Sequence, residues 1–433
     1  MELYHLPSLN SQVIYRQFLI DNFSLPGITD NTFGNVTITV IIDGDKEISL
    51  AAGSTGSLLR IGENQNVTIR DLGLKGHYGN TYSLVHVSGD NSSFTMQGSA
   101  TISGNTSTRG GGVFVDGGNF TMQDNATVSD NTAPSSGYGG GGVYVYGGTF
   151  TMQGSATVSG NSSSSYGGGI YIYGGTFTMQ GSATVSGNSS SSGGGVYVYG
   201  GTFTMQDNSA VSSNTSSLEG GGVAVVKADG VVTITAGTFT MKDKAMVSDN
   251  TSPFAGGVYL DRSNFTMQGS ATVSGNTSSY SCGGVLVDSG STFAMQGNAT
   301  VSGNSSSGYG GGVASSGTFT MQDNATVSGN SSSSDGGGVA STNSGIFTMQ
   351  DNATVSGNFS SGYGGGVYSS GTFTLVGGTV YGDVGMPKGN TCSYITAGAA
   401  LYVYKGTAKY GNGSNILPHT DGQANYTNNT IQR

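Results

Sequence analysis

Two carboxylates and a guanidinium fall together in the register of this sequence. Asp261 and Arg262 end one valine-rich segment, GGVYLDR, and Asp288 ends the next, GGVLVDS. Carboxylates on neighbouring layers can hold Ca²⁺ or share a proton. With the guanidinium, they are the weak candidates for a polysaccharide-cleaving centre. The bland reading, two solvated strand-end aspartates, is the one preferred. Asp323 and Asp351 also repeat, inside Q-D-N, where turn chemistry accounts for them. A Ser-His-Asp site has no base in the regular part of the chain, because His5, His77, His86 and His419 all lie outside residues 94–376. Glu219 is the one glutamate there, and the calcium-binding GGxGxD nonapeptide is absent. The expectation is no catalytic residue, no metal, no cofactor and no enzyme, with a polysaccharide lyase or hydrolase as the alternative.

Aromatic and hydroxyl side chains offer a different chemistry. Tyr144, Tyr171 and Tyr197 recur at one position of the repeat, and Tyr146, Tyr173 and Tyr199 two residues on. They alternate with valine or isoleucine, which places them on the outward face of a strand. Stacked aromatic faces with polar tips suit sugar rings and partner proteins. Stacking that only stabilises a sheet is the competing reading. Thr149 and Thr151, Thr176 and Thr178, and Thr202 and Thr204 form a second outward series. Its spacing also suits ice, but any Thr-rich stack would show it.

The elements that hold these residues follow from the repeat. Phe94, Phe120, Phe150, Phe177, Phe203, Phe239, Phe265, Phe293, Phe319, Phe347 and Phe373 recur, most often 26 residues apart. The first ten are each followed 11 residues later by Asn, from Asn105 to Asn358. All length variation falls after the Asn, so F-T-M-Q-x-x-A-T-V-S-G-N is a rigid block followed by a tolerant Ser/Gly loop. Within one unit, GGVYVY, TFTMQ and ATV each alternate apolar and polar residues, the mark of strands with one buried face. Glycines between them permit the positive φ that sharp corners need. A single unit buries too little to fold alone, but identical units stacked on their own copies share hydrogen bonds and one core. The fixed Asn suits a ladder in which each amide accepts from one neighbour and donates to the next. That role outweighs glycosylation of the N-x-S/T pattern.

The reading is an all-β, right-handed parallel β-helix with three strands per coil of about 26–30 residues. Roughly 13 coils rising about 4.8 Å each would span about 60 Å. Residues 1–33 are expected to hold a capping helix near Gln12–Phe23, 34–92 degenerate first coils, 93–376 regular repeats, and 377–433 a last coil and polar tail. The step of 25 from Asn214 to Phe239 includes VAVVKADGVVTIT, a hairpin signal around Asp229-Gly230. Cys282 and Cys392 fall four coils apart, about 19 Å, beyond the roughly 7 Å reach of a disulfide, so both are expected as thiols.

Composition narrows the function. The chain has 433 residues, 78 Gly, no Trp and a net charge of −10, with only 9% charged residues. That is not the basic footprint of nucleic-acid binding. No run reaches the 18 or so apolar residues of a membrane helix. Met1 opens no signal-peptide pattern, and the expectation is that the start of the gene lies upstream.

The pair V-S-G-N then G-G-G-V resembles the FxxN and GGA(I/L/V) motifs of the chlamydial polymorphic outer membrane protein repeats. Val128, Val158 and Val185 stand where that family has Phe. The longer phrase F-T-M-Q-x-x-A-T-V-S-G-N is similar to repeats in treponemal surface proteins, and VTIRDLGL resembles strands of the pectin-lyase-like superfamily. The resemblance covers roughly residues 90–380. It implies a right-handed parallel β-helix at the cell surface, with adhesion the usual role. The chlamydial proteins end in an outer-membrane barrel, which is not expected within this chain. Together these features lead to a surface-exposed or secreted, adhesin-like, monomeric scaffold. Its expected partners are glycans or host cell-surface proteins, met by Tyr144, Tyr146, Tyr171, Tyr173, Tyr197 and Tyr199. A structural surface protein with no specific ligand is a further alternative.

Overall fold

The computed structural model describes residues 4–6, 13–18, 22–29, 37–134, 138–228, 236–382, 389–393, 399–404, 406–410, 415–416, 423–426 and 431–432. The chain divides into two units, Met1–Ala210 and Val211–Arg433. Each is a parallel β-solenoid, and no helix occurs among the described residues.

One turn shows the plan. Val143–Tyr146, Thr149–Met152, Thr157–Ser159 and Ser162–Ser163 are successive strands. Each lies parallel to its copy in the next turn with identical residues in register: Phe150 on Phe177, Met152 on Met179, Val158 on Val185. The rings of Phe150 and Phe177 stack at 4.8 Å, and both are 0% exposed. Among the described residues, the parallel strands aligned with Val143–Tyr146 number six in the first unit and seven in the second, matching the 13 or so turns expected.

Sequence explains the corners. Gly140 has φ +72°, and a Cβ on Gly141 would lie 2.2 Å from the Gly168 carbonyl oxygen of the next turn. A Cβ on Gly142 would press to 3.0 Å from the Asn161 amide. Three consecutive glycines thus serve three purposes: a left-handed turn, close approach of two backbones, and room for the Asn. After T-V-S the corner residue is also left-handed, filled by Gly160 (φ 64°) in one turn and Asp130 (φ 57°) in another.

The Asn ladder forms in both units. Asn161 donates its Nδ2 to Asn188 Oδ1 at 3.0 Å and to Val128 O at 3.0 Å. In the second unit Asn276 does the same to Asn304 and Val247, and accepts from both the backbone N and the Nδ2 of Asn250. Asn80 and Asn390 extend the series beyond the ten residues read from the repeat. At 0–1% exposure, these side chains are out of reach of a glycosylating enzyme.

Three expectations need correction. The Ser-rich stretch after the Asn is not all loop: Thr132–Ala133, Ser162–Ser163, Ser189–Ser192 and their counterparts make a fourth, narrow sheet. Alternate serines point inward there and several bond to backbone carbonyls, as when Ser332 Oγ donates to Gly308 O of the neighbouring turn at 2.7 Å. Where the capping helix was expected near Gln12–Phe23, the described residues Val13–Phe18 form a strand instead. Val13–Phe18 pairs parallel with Ile38–Asp43 and antiparallel with Tyr4–Leu6. Its Val, Ile, Tyr and Phe favour the pleated form once a sheet edge is available. The polar tail also contains strands: Gln423–Tyr426 runs antiparallel to Leu401–Tyr404, and Asn415–Ile416 to Thr407–Tyr410. Antiparallel strands on the outermost turns cover edges that would otherwise recruit another chain. The hairpin expected around Asp229-Gly230 lies outside the described residues. Cys282 and Cys392 are thiols.

Candidate functional site

Asp261, Arg262 and Asp288 do come to one corner, on neighbouring turns of the second unit. Leu260 pairs with Val287, so the two aspartates follow residues in register. Their chemistry is local. Arg262 clamps Asp261 with Nε at 3.1 Å from Oδ1 and Nη2 at 3.2 Å from Oδ2. Its backbone is left-handed, φ 47°, at the corner position that Gly174 fills elsewhere. Asp288 accepts a hydrogen bond from Tyr259 Oη at 2.9 Å. Burial, then the Asp288 charge, pushes the Tyr259 phenol up, so it stays a donor. Sequence reasoning missed Tyr259, although its place between Val258 and Leu260 marks it as outward. No three acids or metal-binding side chains gather among the described residues. Asp323 and Asp351 are turn residues: Asp323 Oδ2 accepts from Gly297 N at 2.8 Å and Asp351 Oδ2 from Asp323 N at 3.1 Å.

The tyrosine columns separate. Tyr144, Tyr171 and Tyr197 point away from the valine core as expected, yet they are only 4%, 5% and 6% exposed. Outward is not open here. The Tyr166 ring, from the strip before the glycine corner, lies 4.6 Å from Tyr197 and 5.9 Å from Tyr171. Tyr146 and Tyr173 close the other side, edge-on at 6.5 and 6.4 Å. Burial accordingly pushes the Tyr144 and Tyr171 phenols up. The open surface belongs to the second column, where Tyr146 is 47% exposed and Tyr173 and Tyr199 are half-buried.

The inner column is longer than the repeat suggested. Arg60 pairs with His86, His86 with Phe114, and Phe114 with Tyr144, in register. His86 stacks on Phe114 at 4.9 Å, and Phe114 on Tyr144 at 5.3 Å. Arg109 leans over this column from the glycine corner, 5.9 Å from the Phe114 ring and 4.9 Å from that of Tyr138. Two clefts open on either side, of about 410 and 370 Å³, sharing Arg109 and Phe114. The first holds Arg60, Tyr82 and His86; the second holds Asp116, Tyr138 and Tyr146. Burial, then the Arg60 and Arg109 charges, lowers His86 to about 4, so its ring is neutral. Arg60 Nε and His86 Nε2 are buried without a hydrogen-bond partner.

These residues escaped the reading of the sequence because chemistry was sought in the regular turns, while Arg60 and His86 sit in the degenerate first ones. The signal was present: L-R-I, V-H-V, V-F-V, V-Y-V, I-Y-I and V-Y-V align Arg60, His86, Phe114, Tyr144, Tyr171 and Tyr197.

Residues 155–173 match the Chlamydia polymorphic membrane protein (Chlamydia_PMP) repeat. That stretch is most of one turn: the T-V-S strand, Asn161, the serine strip, the glycine corner, and Tyr171 and Tyr173. No curated protein and no solved structure matches the chain.

Proposed function

We propose that this chain is a non-enzymatic surface repeat scaffold of the adhesin-like kind, exposed on or secreted from the cell, whose turns carry an aromatic ladder to glycan or protein partners. The match of residues 155–173 to a membrane protein repeat supports a cell-surface or outer-membrane setting. No helix among the described residues is long and apolar enough to cross a membrane. The coil is taken as right-handed, the hand of nearly all parallel crossovers. The acids of the second unit support a non-catalytic reading, because Arg262 and Tyr259 already occupy them.

The observation that carries the proposal is the spacing of the open tyrosines. Tyr146, Tyr173 and Tyr199 follow one another at 5.1 and 5.2 Å on adjacent turns. A pre-ordered row of such rings loses little entropy on binding and multiplies weak contacts. The test replaces all three by serine and measures adhesion to host cells and to a glycan array. Binding should fall at least tenfold while the melting temperature stays within a few degrees. Undiminished binding would assign the row to sheet stability alone.

A further inference from the structure

We infer that the two clefts around Arg109 in the first unit form a binding site for an acidic saccharide, its anionic group seated between Arg60 and Arg109 and a neighbouring neutral ring on the Tyr138–Tyr146 wall. This deepens the surface-scaffold reading by naming a ligand class.

The charge distribution comes first. The chain carries only 14 Lys and Arg against 24 acids. Two of those cations nevertheless converge on one cleft, and both act on His86. Among the described residues, neither Arg60 nor Arg109 has a carboxylate within ion-pair distance, unlike Arg262 and Arg70. Guanidinium groups beside a half-buried cleft with no counter-charge favour an incoming anion. Arg60 Nε and His86 Nε2 lie buried and without a protein partner beside the cleft.

Shape and surface chemistry select the rest of the ligand. Phe114 and Tyr138 flank Arg109, and Tyr82 and Tyr138 stand 40% and 59% exposed at the rims. Aromatic faces with polar edges suit the C–H face of a sugar ring. Asp116 lines the second cleft and repels a second anion there. The preferred order is therefore an anionic ring followed by a neutral one. A peptide is less suited, because the cleft lies over a sheet face whose backbone groups are already paired with neighbouring turns. Strand addition is thus closed to it. A nucleic acid would meet two cations on a chain of net charge −10.

The experiment measures binding of the full chain to four probes by titration calorimetry: a hyaluronan tetrasaccharide (carboxylate with a neutral ring), a keratan sulfate tetrasaccharide (sulfate, no carboxylate), a chitin tetrasaccharide (no charge) and hexaglutamate. At least one acidic sugar should bind tenfold or more tighter than chitin tetrasaccharide and hexaglutamate, and which one does so identifies the anion. R109Q alters an exposed residue and should weaken that binding about tenfold, as should R60Q. R60K, which keeps the charge, controls for damage to the fold. Tyr309→Ser, which alters an exposed tyrosine of the second unit, should leave it unchanged. Equal affinity for chitin tetrasaccharide, tighter binding of hexaglutamate, no binding of either acidic sugar, or indifference to R109Q would each overturn the inference. Adhesion that still depends on the tyrosine row in those cases would leave the broader reading standing.

Discussion

At the scale of single residues, the fold depends on side chains that can both give and accept a hydrogen bond in a closed space. Asn276 accepts from two Asn250 donors and supplies Asn304 and Val247. Asn276→Ala leaves those groups buried and unpaired, at a cost of about 3–5 kcal/mol. Asn276→Asp should be worse above about pH 5, since an ionised carboxylate cannot donate. Denaturant midpoints for the wild type and both variants would check the order, and an Asp variant as stable as the wild type would contradict the ladder. His86 gives a pH prediction. Its folded pKa near 4 lies below the usual 6.5, so the unfolded chain binds the proton first. Stability is full above about pH 6.5 and declines as pH falls toward 4, by at most about 3 kcal/mol. His86→Phe should flatten this slope relative to the wild type.

At the scale of elements, corners rather than strands set the tolerance of the repeat. A Cβ on Gly141 would meet the Gly168 carbonyl at 2.2 Å, whereas one on Gly147, though at φ +73°, would meet nothing within 4 Å. Gly141→Ala should therefore cost several kcal/mol and Gly147→Ala only about 1 kcal/mol. Thermal melts of the two variants make the comparison, and equal losses would show that backbone conformation, not contact between turns, dominates. The strands themselves were legible because period-two alternation names the buried face. The serine strip was not, because S-S-S-S carries no such contrast: Ser163 and Ser190 are buried only because the turns above and below close over them.

At the scale of the whole molecule, stability comes from copies lying on copies in each unit. No acidic or metal-binding cluster is found among the described residues. Chelating calcium should leave the melting temperature unchanged. A drop on chelation would point to an ion held by residues outside that set. The edges of the outermost turns are covered by antiparallel strands such as Tyr4–Leu6 and Gln423–Tyr426. An apolar stretch alone was a poor guide at Val13–Phe18, because a waiting sheet edge outweighs weak local propensity.

Stacking is written into the repeat. With Phe, Met, Val and Asn returning at fixed offsets, one superposition buries the recurring apolar residues and pairs the recurring Asn amides, so register, core and ladder follow from the text of the repeat. It could not determine what is open on the outer face. Alternation tells which side of a strand a residue takes, but exposure depends on what neighbouring strips place over it. It takes the assembled turns to set Tyr166 and Tyr173 against Tyr171, and to bring Arg60, His86, Phe114 and Arg109, distant in sequence, around one pair of clefts.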